Sequence, residues 1–287
     1  CRTHYEGGTP WAPSSRSAAS AWPRRSTASS CARRVTSVAT RSERAEARPF
    51  GRASRVSGPL YLGVMERTII HVMRHGEVDN PNGVLYGRLP GFGLTELGHA
   101  MAARAAEYLV DSGADITRVI SSPLLRAQLT AAPTAAAYGL TIESDPRLIE
   151  SDNVFEGMPV NSNRMMLANP KYYKYYCNPL RPSWGEPYRD VASRMSAALS
   201  SALRAARGHE ALVVSHQNPI VTLTRFVNGQ PLPHSPKSRH CALASITSFI
   251  FSGATLVGTS YAEPAADLVA IAKDMTCLLY TSPSPRD

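Results

Sequence analysis

No stretch of the chain approaches the ~20 uninterrupted apolar residues of a membrane span, so no spanning helix is expected. Cysteine is sparse. Cys1, Cys31, Cys177, Cys241 and Cys277 are odd in number, widely scattered and form no CxxC pair. That pattern argues against a disulfide framework or structural zinc and favours a reducing, cytoplasmic compartment. No internal repeat is visible. The first 64 residues contain no lysine, and no methionine occurs before Met65. They carry eleven arginines and three glutamates, a net charge of +8, which leaves +1 of the chain's +9 for the other 223 residues. The basic balance therefore belongs to this leader, and gives no reason to expect nucleic acid or a membrane as partner of the rest. The 287-residue chain is 43% hydrophobic overall and long enough to bury one large core.

The leader is rich in Ser, Ala, Arg and Pro and has little apolar periodicity, a composition expected to stay disordered. An organellar transit peptide or a basic anion-binding tail would fit it. Upstream GC-rich DNA translated as protein also explains arginine without lysine, and is the preferred reading. CLLYTSPSPRD at 277–287 continues no visible element and is expected to be foreign to the fold. The folded domain is expected over 65–275.

Within it, Thr68 to Glu77 reads TIIHVMRHGE, an apolar run that breaks into Arg74, His75, Gly76 and Glu77. A buried strand ending in a polar cluster delivers side chains to the edge of a sheet where α/β proteins place ligands. The arginine offers a planar fork for phosphate, the imidazole can act as a nucleophile, and the glycine allows close approach. Three later apolar runs also end in polar groups: Ser122 and Arg126 after one, Glu150 after another, His216 after ALVVS. Periodicity predicts strands over 68–73, 116–121, 141–149 and 211–215. Helices are predicted from Thr95, over Leu124 to Tyr138 with a kink at Pro133, over Tyr188 to Arg207 and over Pro219 to Val227. A closing strand pair is predicted at 242–251 and 256–261. Residues 151–187 have no clear period and are expected to form a small cap over the site.

These ordered motifs resemble those of the histidine phosphatase superfamily, whose relatives include the cofactor-dependent phosphoglycerate mutases. The matching pieces are RHGE at 74–77, SSPLLRAQLTA at 121–131, Glu150, GEPYRDVASR at 185–194 and VSHQNPI at 214–220. The resemblance implies an α/β three-layer sandwich with a central, mostly parallel sheet flanked by helices. It implies a phosphohistidine at His75, phosphate held by Arg74, Arg126 and, if protonated, His216, and Glu150 as the acid that protonates the leaving oxygen. Asp152 and Glu156 are nearby competitors for that last role. Asn80, Arg88 and Gln217 are candidate substrate contacts, and Lys171, Lys174 and the tyrosines between 172 and 176 could line the entrance.

No cofactor is expected. His71 and His75, four apart, would suggest a metal pair on a helix; on a strand they are taken to face opposite sides, and no metal is expected. The expected partner is a small phosphorylated metabolite, with a homodimer left open. The expected activity is hydrolysis of a phosphomonoester. Transfer to a second acceptor, as in mutases with longer basic caps, is the alternative, and a non-catalytic phosphate-binding module is a third.

Overall fold

The structure, a computed structural model, describes residues 66–159, 169–170, 185–234 and 239–273. The chain alternates β1 (Arg67–Arg74), α1 (Glu96–Asp111), β2 (Ile116–Ser121), α2 (Leu125–Ala137) and β3 (Ile142–Ser144). There follow α3 (Tyr188–Ala205), β4 (Glu210–Ser215), α4 (Gln217–Val227), β5 (Ile246–Ser252), β6 (Thr255–Ala262) and the short α5 (Ala266–Val269). Six strands form one sheet in the order β3-β2-β4-β1-β5-β6. The pairs β3–β2, β2–β4 and β4–β1 are parallel, whereas β1–β5 and β5–β6 are antiparallel, so the sheet is mixed.

Successive strand residues face opposite sides, and the two sides bury separate cores. Ile70 and Val72 of β1, Ala211 and Val213 of β4 and Phe249 of β5 pack with Val191, Met195 and Leu199 of α3 and Ile220 and Leu223 of α4. Met73, Leu212, Val214 and Ile246 point the other way, onto Ala105 and Leu109 of α1 and Ala127 and Ala131 of α2. Apolar residues on both faces explain why β1 and β4 read as continuous hydrophobic runs. The α/β sandwich thus has its three layers. Among the described residues no helix is long and apolar enough to cross a membrane.

Helix α1 starts where expected, with the Thr95 hydroxyl accepting from Gly98 N at 2.9 Å. Helix α2 continues four residues beyond Pro133. Two strand expectations are corrected. The third strand stops at Ser144 because Asp145 accepts from Arg147 N at 2.9 Å and Pro146 brings no amide hydrogen, so a 3₁₀ turn, Pro146–Leu148, replaces the ladder. β5 begins at Ile246 rather than 242, since Ala244 has φ 52 and breaks the extended chain.

Candidate active site

β1 and β4 lie side by side with Arg74 paired to Ser215. The helices following these strands lie on opposite faces of the sheet, α1 with one core and α4 with the other. Such a reversal opens a crevice at the carboxyl ends of the strands. The residues that follow β1, β2 and β4 converge there. Arg74, His75, Ser122 and His216 are fully buried, and Arg126 is 1% exposed.

His75 is held by its backbone on both sides: its N–H donates to Ser215 O at 3.2 Å and its carbonyl accepts from Ala244 N at 3.3 Å. Its ring Nδ1 lies 2.8 Å from Gly76 O. A carbonyl oxygen only accepts, so Nδ1 carries the proton and the lone pair of the neutral ring sits on Nε2. The turn is locked by close packing. A Cβ on Gly76 would stand 2.6 Å from Gly98 O, and one on Gly98 would stand 2.2 Å from Glu77 O, so both positions exclude a side chain. Gly76 N also donates to Thr130 Oγ1 at 3.1 Å, which ties the turn to α2.

Two buried guanidinium groups are anchored by backbone carbonyls. Arg74 Nη1 donates to Cys241 O at 2.6 Å. Arg126 Nη2 donates to Gly87 O at 2.6 Å, and its Cζ lies 4.7 Å above the Tyr86 ring. Burial lowers the Arg126 pKa, countered by Tyr86, Glu150 and Glu156, but a guanidinium remains cationic at physiological pH. Its Nε is buried without a hydrogen-bond partner among the described residues, as is Nδ1 of His216. Buried polar atoms of this kind call for a ligand or water.

The His216 ring centroid is 5.2 Å from that of His75, and its Nε2 is 2.8 Å from Ser122 Oγ. Burial, followed by the nearby Arg126, His75, Arg194 and Arg74, pushes the His216 imidazole well below its ordinary 6.5. Burial among these cations thus disfavours the charged form of the ring in the protein alone.

Glu150 is half-buried on the wall of an adjoining cavity of about 110 Å³, whose lining also includes Tyr86, Asp152, Glu186, Gln217, Asn218 and Arg239. Ser151 N donates to its Oε1 at 2.7 Å. Of the two competing carboxylates, Asp152 is exposed at the rim, whereas Glu156 accepts from Arg88 N at 2.8 Å and lies off the wall. Burial raises the Glu156 pKa.

The three candidate substrate contacts separate. Gln217 lines the cavity and reaches Cys241 O at 3.5 Å. Asn80 binds Val84 O and N through its two amide ends, at 2.7 and 3.0 Å, and so closes its own loop. Arg88 donates from Nε to Glu150 O at 2.7 Å and from Nη2 to Glu186 Oε2 at 2.8 Å, which makes it a brace behind Glu150. The expected aromatic entrance at 171–176 lies outside the described residues.

Sequence reasoning gave no individual role to Arg194 or Arg239. Arg194 grips Glu186 with Nε and Nη2, each at 2.9 Å, and donates from Nη1 to Arg147 O and Ile149 O, each at 2.6 Å. It thereby fixes the segment leading into Glu150. The membership of Arg194 in the GEPYRDVASR motif was its only signal. The reason given against a His71–His75 metal pair is also corrected, since residues four apart on a strand share a face. What separates them is about 13 Å of extended chain, and His71 is bound to Glu210 Oε2 at 2.7 Å and Ser248 Oγ at 2.8 Å.

Known proteins resemble the chain over most of its length. "Uncharacterized protein Rv0525" of Mycobacterium tuberculosis is 51% identical over 201 residues, 70% of this chain and 98% of that protein. "Probable phosphoglycerate mutase GpmB" of Yersinia pestis is 33% identical over 185 residues, 62% of this chain and 83% of that protein. Among solved structures, Bacillus stearothermophilus YhfR superposes with a TM-score of 0.57 at 26% identity, covering 66% of this chain and 94% of its own. The mycobacterial glucosyl-3-phosphoglycerate phosphatase Rv2419c gives 0.53 at 25% identity, covering 64% and 90%. Residues 70–263 match the description of the histidine phosphatase superfamily (branch 1), and the chain belongs to that family of phosphoryl-transfer enzymes.

Proposed function

We propose that this protein hydrolyses a small-molecule phosphomonoester, without a metal, through a phosphohistidine at His75. One observation carries the reading: the His75 ring is fixed with its proton on Nδ1 beside a second buried imidazole, His216, which feels the charges of the buried Arg74 and Arg126 guanidinium groups. Phosphoryl transfer needs mainly alignment and neutralisation of the equatorial oxygens, and this is what such a cage supplies.

In the first step the Nε2 lone pair of His75 attacks phosphorus and the ester P–O bond breaks. Glu150 donates its proton to the departing oxygen, so the leaving group departs as an alcohol. Arg74 and Arg126 hold the equatorial oxygens. His216, neutral in the protein alone, would be drawn towards protonation by a bound dianion and would then donate to it. In the second step water attacks phosphorus, Glu150 takes its proton, the P–N bond breaks and phosphate is released.

The test is rapid acid-free quenching with a ³²P-labelled substrate from a metabolite panel. Label should appear on wild-type protein, no label or phosphate release should occur with His75→Ala, and turnover should fall on the order of 10²-fold with Arg126→Ala. Turnover by His75→Ala at the wild-type rate would end the proposal. The printed name of the Yersinia relative favours one second reading, phosphoryl transfer between positions of phosphoglycerate. Isomerised phosphoglycerate without release of phosphate would select it.

A further inference from the structure

The cavity beside the phosphate cage has one cationic side chain on its wall among the described residues, that of Arg239. Its lining carboxylates do not balance it equally. Glu186 is already matched by Arg194 and Arg88, Glu150 accepts from Ser151 N, and Asp152 sits exposed at the rim. Arg239 is instead directed by uncharged groups. Its Nε donates to His234 Nε2 at 3.1 Å, and His234 Nδ1 lies 2.7 Å from Leu232 O. The carbonyl obliges Nδ1 to carry the proton, so His234 Nε2 is an acceptor and orients the guanidinium. Nη1 points along the wall to Gln217 Oε1 at 3.5 Å, and Gln217 in turn approaches the carbonyl of Cys241 that holds Arg74. A chain of four groups thus connects the phosphate cage to a second cation a short distance along the wall.

We infer that Arg239 is a specificity-determining residue which, oriented by His234, binds a carboxylate on the alcohol portion of the substrate. The proposal rests on the phosphomonoester reading above and names the class of ester. A planar fork matches a carboxylate through two parallel hydrogen bonds, and a lysine in its place would supply charge without that geometry.

Calorimetric binding to a His75→Ala background, which prevents turnover, tests this with three probes: inorganic phosphate, glycerol 3-phosphate and 3-phosphoglycerate. The last two differ in a hydroxymethyl against a carboxylate. The background protein should prefer 3-phosphoglycerate, and adding Arg239→Ala should reduce the ratio of the two affinities by roughly 10- to 100-fold. Arg239→Lys should restore only part of it. Arg207→Ala, which removes the same charge from an exposed position paired with Glu66, should leave the ratio within about twofold of its starting value. A ratio unchanged by Arg239→Ala, or altered equally by Arg207→Ala, overturns the inference while leaving the phosphatase reading intact. Failure of all three probes to bind overturns both.

Discussion

At the scale of single residues, the site is a problem in protonation. His75 has its tautomer fixed by one carbonyl, and His216 is kept uncharged by burial among cations. The second effect has a consequence for stability. The unfolded chain takes up a proton at this imidazole below its ordinary 6.5, whereas the native protein resists it. Stability contributed by the group is therefore present above 6.5 and declines as pH falls, by up to about 1.4 kcal/mol per pH unit, until the depressed native value is passed. His234 is depressed by burial in the same direction and adds to the slope. Urea unfolding between pH 7.5 and 5 should show a visibly flatter profile for His216→Gln than for wild type. Equal slopes would contradict the assignment.

At the scale of elements, strand ends carry Arg74, His75 and His216, but a brace between loops and helix α3 carries the segment of Glu150. Arg194 on α3 reaches Glu186 and two carbonyls just before Glu150, and Arg88 closes the same network from the loop before α1. Arg194→Ala should cost about 2–3 kcal/mol in stability, the range for hydrogen bonds to a charged group, and should lower kcat more than it raises KM, because Glu150 loses its support. Denaturant melts and steady-state kinetics on one preparation would check both. A change confined to KM would move Arg194 from this role to substrate binding.

The elements also mark where sequence was informative. Arg74, His75, Arg126 and His216 were legible because each lies within a few residues of a strand end, where local pattern suffices. Asp145 and Pro146 ended β3 by local chemistry that an apolar run concealed, and Ala244 delayed β5 by a backbone angle that its side chain does not announce. The reach of Arg194 to Ile149 spans 45 positions, and that of Arg239 depends on a separate loop. Neither has a local periodic signature, so only the assembled fold reveals them. Asn80 shows the opposite, a local partnership: its amide pairs with Val84 of its own loop.

For the whole molecule, both cores share one sheet, and the cage is built on strands that contribute to each of them. Ligand binding at the cage should therefore stabilise the domain as a unit. Phosphate at about 100 times its Kd should raise the unfolding free energy by about 2.7 kcal/mol and shift a single cooperative transition. With Arg126→Ala, the shift at the same phosphate concentration should shrink. Two separate transitions in a thermal scan, with phosphate moving only one, would show instead that the faces unfold independently.

β5 runs against its neighbour β1, so the connection that enters it, not one that leaves it, arrives at the rim where β1, β2 and β4 end. That incoming connection supplies Arg239 and the Cys241 carbonyl, whereas the transferring groups are borne by parallel strands. Under the proposed function, reaction and selectivity thus fall to separately replaceable parts. A designer could exchange the short tract from 228 to 243 for another, keeping the Cys241 anchor, and retarget the catalyst without rebuilding its engine.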